Sequence, residues 1–219
     1  MILNPDLVIF DCDGVLVDSE PISNKALAQT LNRIGLHITY EETLNIFLGR
    51  SWEDSLFTIT KMLGHNPPSN LYDLYRSRMY EWFKKDLKQV SGIVGAVGAL
   101  KDLKFPYCVA SSGSYEKIQT TLGITNLMPL FKGKIFSASD VSRGKPAPDL
   151  FLLAANMMGA DPLNTIVVED SEPGVRAAIA ANMRVLGYAE RTDPLTLSSA
   201  GAETFDNMDH LSTYIINLS

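Results

Sequence analysis

A chain of 219 residues, 46% of them hydrophobic, suits one domain or one core with a modest insertion. Its formal net charge of -6 argues against nucleic-acid binding through a broad basic surface. Met1-Ile-Leu-Asn-Pro-Asp6 lacks the basic start and apolar run of a signal peptide, and no stretch approaches a transmembrane helix in length. The expectation is a soluble, cytoplasmic protein without a nucleic-acid or membrane partner. Its oligomeric state stays open, with a monomer admissible.

The first predicted element is a strand at 7–10, Leu-Val-Ile-Phe, which runs into Asp11-Cys-Asp-Gly14. An unbroken apolar run of this kind reads as a parallel strand buried on both faces. Aspartate and glycine are ordinary turn residues. Open α/β sheets, however, place ligands beyond the carboxyl ends of their strands, where these carboxylates would stand.

Residues 20–33 then show a helical period through Ile22, Ala26, Leu27 and Leu31, and Gly35 ends it. Thr39-Tyr-Glu-Glu42 resembles a helix start leading into Leu44, Phe47 and Leu48. Gly49-Arg50 breaks that helix, and Ser51-Trp-Glu-Asp54 opens another that runs to Gly64. After the loop at Pro67-Pro-Ser69, Ser69 is expected to cap a long helix reaching about Lys85. From Gly92 the pattern changes. Helices are expected near 94–104, 115–122, 149–158, 175–181 and 210–217, and strands at 107–110, 134–136, 165–169, 185–188 and 203–205. Such alternation predicts a parallel sheet covered on both faces. The fold class is therefore α/β, a Rossmann-like parallel sheet formed by 1–17 and 87–219, interrupted by an all-helical block over 18–86.

Polar clusters follow three later strands or loops: Ser111-Ser-Gly113, Gly144-Lys-Pro146 and Glu169-Asp-Ser171. Each alone has a plain structural reading as a helix cap or a surface lysine. In a parallel sheet all of them share one edge with Asp11 and Asp13. Clustered like charges disfavour ionisation unless something offsets them, and a divalent cation with Lys145 would do so. Carboxylate oxygens without histidine or thiolate suit Mg²⁺. Serine hydroxyls and helix-start N–H groups suit an anion. These are the parts of a phosphoryl-transfer site.

Asp11-Cys-Asp-Gly-Val-Leu-Val-Asp-Ser-Glu20, Ser111, Gly144-Lys-Pro-Ala-Pro-Asp149 and Val167-Val-Glu-Asp-Ser171 resemble, in order and spacing, the four motifs of the haloacid dehalogenase superfamily. The resemblance spans nearly the whole chain. It is to the phosphatase and β-phosphoglucomutase branch, which inserts a helical cap between the first two motifs. It implies that Asp11 is the nucleophile of an aspartyl-phosphate intermediate and Asp13 the general acid and base. It implies that Ser111 and the N–H groups after it, including that of Ser112, hold the phosphoryl oxygens, while Lys145 neutralises charge between Asp11 and the phosphate. Mg²⁺ would be held by Asp11, the Asp13 carbonyl and Asp170, with Glu169 supporting that shell. An acid two residues after the nucleophile sets the chain apart from the dehalogenases.

Some positions depart from the family pattern. Ser112 stands where many relatives have Asn, Ser91 where Pro is common, and Asn182 where Gly is usual, though Asn accepts the left-handed conformation. None of these removes a catalytic group. Arg50 could reach substrate from the cap, or be a surface arginine. Trp52 reads as packing more than as a sugar platform. Glu20 could orient cap and core, or be a helix-start acid. Cys12 lacks the arginine of a thiol-phosphatase loop, because position 18 is Asp18, and Cys108 has no paired spacing with it. His37, His65 and His210 are isolated. Gly144-Lys145-Pro146 lacks the Ser or Thr that follows the lysine of a nucleotide phosphate loop.

The function expected is Mg²⁺-dependent hydrolysis of a small phosphorylated metabolite, with a sugar phosphate favoured. A sugar phosphomutase is the nearest rival. Mutase-like relatives carry a cap-side histidine after the first motif, where this chain has Ser23. A non-enzymatic phospho-acceptor is the remote alternative, disfavoured because such modules are shorter and lack a helical insertion.

Overall fold

The computed structural model describes residues 5–47 and 52–218. The chain divides into two compact units, Met1–Asp18 with Lys88–Ser219, and Ser19–Leu87.

The first unit is built on six strands: β1 (Leu7–Phe10), β2 (Tyr107–Ser111), β3 (Ile135–Ser137), β4 (Thr165–Glu169), β5 (Arg184–Tyr188) and β6 (Glu203–Phe205). Every pairing is parallel, in the order β3-β2-β1-β4-β5-β6. All residues of β1, β2 and β4 are buried. This is why they read as continuous apolar runs rather than alternating ones. The chain leaves β1 towards β2 and β3, then crosses back to place β4 on the other flank of β1. The gap beyond β1 and β4 is thus the topological switch point, where open α/β sheets bind ligands.

The α-helices among the described residues of this unit are α5 (Ile93–Asp102), α6 (Tyr115–Ile124), α7 (Met128–Phe131), α8 (Asp149–Met158), α9 (Glu172–Ala180), α10 (Pro194–Ala200) and α11 (Leu211–Leu218). Leu150, Phe151 and Ala154 of α8 and Val175, Ala177 and Ala178 of α9 pack with Leu7, Ile9 and Val167 of the sheet in one apolar core. Every regular element among the described residues of the second unit is a helix: α1 (Glu20–Arg33), α2 (Tyr40–Phe47), α3 (Trp52–Leu63) and α4 (Leu71–Asp86). It has its own core of Leu27, Leu31, Leu36, Ile38, Phe47, Ile59 and Leu71.

Element ends follow local chemistry. Thr39 and Glu42 form a reciprocal cap on α2, Glu42 N–H donating to Thr39 Oγ1 at 3.1 Å and Thr39 N–H to Glu42 Oε2 at 2.8 Å. Ser69 does not cap α4. Asn70 occupies that position without a side-chain bond, and Leu71 N–H is satisfied by the Pro68 carbonyl at 3.0 Å. Helix α5 stops at Asp102, short of the expected 104, because Lys104 turns left-handed. Helix α9 begins at Glu172, earlier than expected, since Ser171 caps it from Gly174 N–H and Pro173 fits its first turn. Asn182 beyond it does adopt the left-handed conformation, with φ of 59°. The expected helix break at Gly49-Arg50 lies outside the described residues.

Candidate active site

Asp11 follows β1 directly, and its N–H still donates to the Val168 carbonyl of β4 at 3.0 Å. The next residues fold into a tight loop. Leu16 N–H returns to the Cys12 carbonyl at 2.9 Å and Gly14 N–H to the Val17 carbonyl at 2.9 Å. Gly14 has a φ of +78°, and a Cβ there would land on the Asp170 carboxylate. The turn after β1 and the acid after β4 therefore meet at a position that only glycine allows.

Lys145 ties three strand ends together. Its Nζ donates to Asp11 Oδ1 at 2.5 Å and to Glu169 Oε1 at 2.6 Å, and approaches the Ala110 carbonyl of β2 at 3.5 Å. The side chains of Lys145, Asp11 and Glu169 are only 5%, 9% and 1% exposed, so these are buried charges. The ammonium also lies 4.8 Å from the centre of the Phe151 ring. Burial alone would lower the Lys145 pKa, but the facing carboxylates of Asp11 and Glu169 drive it above the usual range. Burial pushes Asp11 up to about 7, against Lys145 and with help from Glu169 and Asp13.

Glu169 is held from the other side. Its Oε2 accepts Ser171 N–H at 2.8 Å and the Ser171 hydroxyl at 2.9 Å. Both oxygens are thus engaged by Lys145 and Ser171, which sets this carboxylate behind Lys145 as its support. A Cβ at Gly174, in the first turn of α9, would fall on the Glu169 carboxylate. The loop carrying Lys145 is bracketed by Arg143 and Asp149, whose ion pair closes at 2.9 Å.

Ser111 ends β2, buried, and its hydroxyl accepts Gly113 N–H at 3.1 Å. Ser112 is exposed beside it. Ser114 caps α6 by accepting Lys117 N–H at 3.3 Å. The site also contains an unexpected residue, Lys117, whose Nζ donates to Asp13 Oδ2 at 2.7 Å.

Glu20 occupies the first turn of α1, a helix-start position for an acid. Arg50 lies outside the described residues. Trp52 stacks on Tyr75, with centroids 5.6 Å apart and planes at 3°, inside the helical unit. Burial raises the Cys12 pKa well above its ordinary value, with Asp13 and Asp11 adding, so this thiol is a poor nucleophile.

Among the described residues, no three His, Cys, Asp or Glu side chains are arranged as a metal-binding group. Asp11 and Asp170 are both buried carboxylates, and that of Asp170 lies against Gly14 in the turn that follows Asp11. A hard-oxygen set with few carboxylates fits Mg²⁺, which keeps several waters and needs no all-protein cage.

With acids at the switch point of a parallel sheet and a buried lysine between them, the chain has the arrangement of a phosphoryl-transfer protein. Residues 8–188 match the family described as haloacid dehalogenase-like hydrolase, and the chain belongs to that family. It falls in the capped phosphatase branch and is a phosphoric monoester hydrolase. It is 30% identical to the 6-phosphogluconate phosphatase of Escherichia coli, over 94% of this chain and 92% of that one. A haloacid dehalogenase-like protein of unknown function from Agrobacterium tumefaciens superposes with a TM-score of 0.85 at 34% identity, covering 98% of this chain and 99% of that one. A hydrolase of the same family from Deinococcus radiodurans, crystallised with bound phosphate and sodium, gives a TM-score of 0.81 at 28% identity over 97% and 95% of the two chains.

Proposed function

We propose that the protein hydrolyses a small sugar-type phosphate monoester with Mg²⁺ bound and Asp11 as the nucleophile. The observation that carries this is the buried Lys145, shared between Asp11 and Glu169 at 2.5 and 2.6 Å. A lysine so placed neutralises the nucleophile's charge as a phosphate dianion approaches, which two bare carboxylates would repel.

The chemistry balances in two displacements. An Asp11 oxygen attacks phosphorus, and the bond to the leaving oxygen breaks with its electron pair on that oxygen. Asp13 delivers a proton there, so the alcohol departs neutral. Asp13, now ionised, accepts a proton from water as that water attacks phosphorus. The Asp11–phosphorus bond then breaks, restoring the Asp11 carboxylate and releasing inorganic phosphate. Ser111 and the N–H groups at the start of α6 hold the phosphoryl oxygens. Asp11, Asp170 and the Asp13 carbonyl would hold Mg²⁺, which supplies positive charge to the transferring group. The helical unit serves as a cap that admits substrate and excludes bulk water.

The sugar-type substrate rests on the name of the Escherichia coli relative, a phosphatase of a phosphorylated sugar acid. Phosphate release, rather than phosphoryl return to the sugar, is favoured by Ser23 at the position where mutase-like relatives carry histidine. Serine cannot take up a proton near neutral pH as imidazole can.

The test joins trapping with mutation. Beryllium fluoride with Mg²⁺ should leave its adduct on Asp11 of the wild type. Asp11→Asn should keep the fold and lose all turnover of p-nitrophenyl phosphate, and EDTA should silence the wild type. Persistent turnover by verified Asp11→Asn protein, or full activity in EDTA, would refute the proposal. Phosphorus NMR with β-glucose 1-phosphate and glucose 1,6-bisphosphate settles the rival: glucose 6-phosphate forming much faster than inorganic phosphate means a mutase.

A further inference from the structure

Lys117 belongs to none of the four sequence motifs. It lies one helical turn after the Ser114 cap, on the half-buried side of α6. Its stem crosses the turn after β2: a Cβ built on Gly113 would lie 3.3 Å from Lys117 Cδ and 3.4 Å from the Ser111 hydroxyl. The side chain therefore passes over the proposed phosphoryl cradle and ends on Asp13 Oδ2 at 2.7 Å. The two side chains are 25% and 26% exposed, so the pair stands at the mouth of the site rather than in free solvent. An exposed lysine would scatter among rotamers. This one is confined between Gly113 and Asp13.

We propose that Lys117 is a positioning residue for Asp13, holding its carboxyl group at the side of the phosphoryl group from which the alcohol leaves. This rests on the phosphatase reading above. Even on a turn whose backbone is fixed, an aspartate side chain has two torsions to set before its carboxyl group can reach the leaving oxygen, and a misplacement of about 1 Å can cost on the order of a hundredfold. The cation bonded to Oδ2 sets those torsions beforehand. Lys117 does not transfer the proton; Asp13 gives it to the leaving oxygen as the phosphorus–oxygen bond breaks and the electron pair stays on that oxygen. The need for that delivery grows with the basicity of the leaving oxygen, so the role of Lys117 should grow with it.

A series of aryl phosphates reads this directly. Values of kcat/KM, which cover the steps up to loss of the leaving group, are measured for p-nitrophenyl, p-cyanophenyl, phenyl and p-methoxyphenyl phosphate with Mg²⁺. In wild type the dependence on leaving-group basicity should be shallow. Lys117→Met keeps the stem and removes the cation. It should lose less than about threefold on p-nitrophenyl phosphate and about tenfold or more on p-methoxyphenyl phosphate, part of what acid catalysis supplies. Lys117→Arg should restore the shallow dependence. A loss equal across the series, as from weakened phosphate binding or a damaged fold, overturns the proposal, and so does no loss at all. If Lys117→Met does not fold, a steep dependence in Lys117→Arg overturns it. A wild type that turns over no aryl phosphate with Mg²⁺ defeats the phosphatase reading itself, a result distinct from either.

Discussion

Lys145 is held by ion pairs to both Asp11 and Glu169. Its ammonium is buried with two carboxylates against it, and removing one partner of such a set strands the others in a poor solvent for charge. Lys145→Met should destabilise the protein by about 3–5 kcal/mol near neutral pH. The pH dependence has a definite sign. Asp11 titrates at about 7 in the fold, against 3.8 ordinarily, so between those values the folded chain holds a proton that the unfolded chain has lost. Stability from this group therefore falls as pH rises through the window. Without Lys145 the Asp11 pKa moves higher still, and the variant should lose stability more steeply with rising pH. Urea midpoints at pH 5.5 and pH 8 measure this, and a penalty independent of pH would count against it. The placement of Lys145 among these acids was legible from sequence, because acids at several strand ends require a cation among them. Lys117 was not legible: a lysine in a helix's first turns looks like any solvated lysine until the fold carries it to Asp13.

At the scale of elements, two helical glycines have opposite meanings. Gly98 lies inside α5 with nothing within 4 Å of where a Cβ would sit. Gly98→Ala should raise stability by about 0.5–1 kcal/mol, through helix propensity and reduced freedom of the unfolded chain. Gly174 opens α9 with the Glu169 carboxylate occupying the space of a Cβ. Gly174→Ala must displace either the helix start or Glu169, and with it the support of Lys145. Turnover should fall on the order of a hundredfold, as expected for displaced catalytic groups. Comparing kcat and thermal melts for the two variants checks both; similar kinetics would mean that Glu169 does not govern Lys145. Glycine in the first turn of a helix, after Glu172-Pro173, was a sequence signal for such crowding and passed unread. Helix α10 was missed although its marks are strong: Asp193 accepts Leu195 N–H, Pro194 takes the first position, and Gly201 closes it left-handed. Its seven residues bury only Leu197, too little for a periodic apolar pattern to register. Ser69 failed as a cap for the converse reason, since composition names candidate caps but backbone geometry one residue later chose Asn70.

For the molecule as a whole, the parallel sheet followed from alternating elements, and the helical block from the lack of strand patterns before Gly92. Where the block leaves the α/β unit is a matter of backbone pairing, which sequence does not display. Asp18 N–H donates to the Lys88 carbonyl at 2.9 Å, Val90 N–H to the Leu16 carbonyl at 3.0 Å, and Val17 bridges Gln89 in antiparallel sense. Arg191 clasps the Asp18 carboxylate with two bonds of 2.9 and 2.7 Å. The two connecting segments thus leave the α/β unit side by side, as the last residues of a hairpin do, and are fixed there. A two-residue Asn-Gly turn is the natural joint between antiparallel neighbours. Replacing Ser19–Leu87 by Asn-Gly should therefore spare the α/β unit, in which α8 and α9 pack on the sheet in a core of their own. The shortened protein should melt cooperatively and still hydrolyse p-nitrophenyl phosphate weakly, because Asp11, Asp13, Ser111, Lys145, Glu169 and Asp170 all remain. Its discrimination among phosphorylated sugars should collapse, since the proposed cap would no longer contact the leaving group or exclude water. The ratio of kcat/KM for 6-phosphogluconate to that for p-nitrophenyl phosphate is the measure. A shortened protein that keeps the wild-type ratio would place specificity in the α/β unit and remove the reason for calling the helical unit a cap.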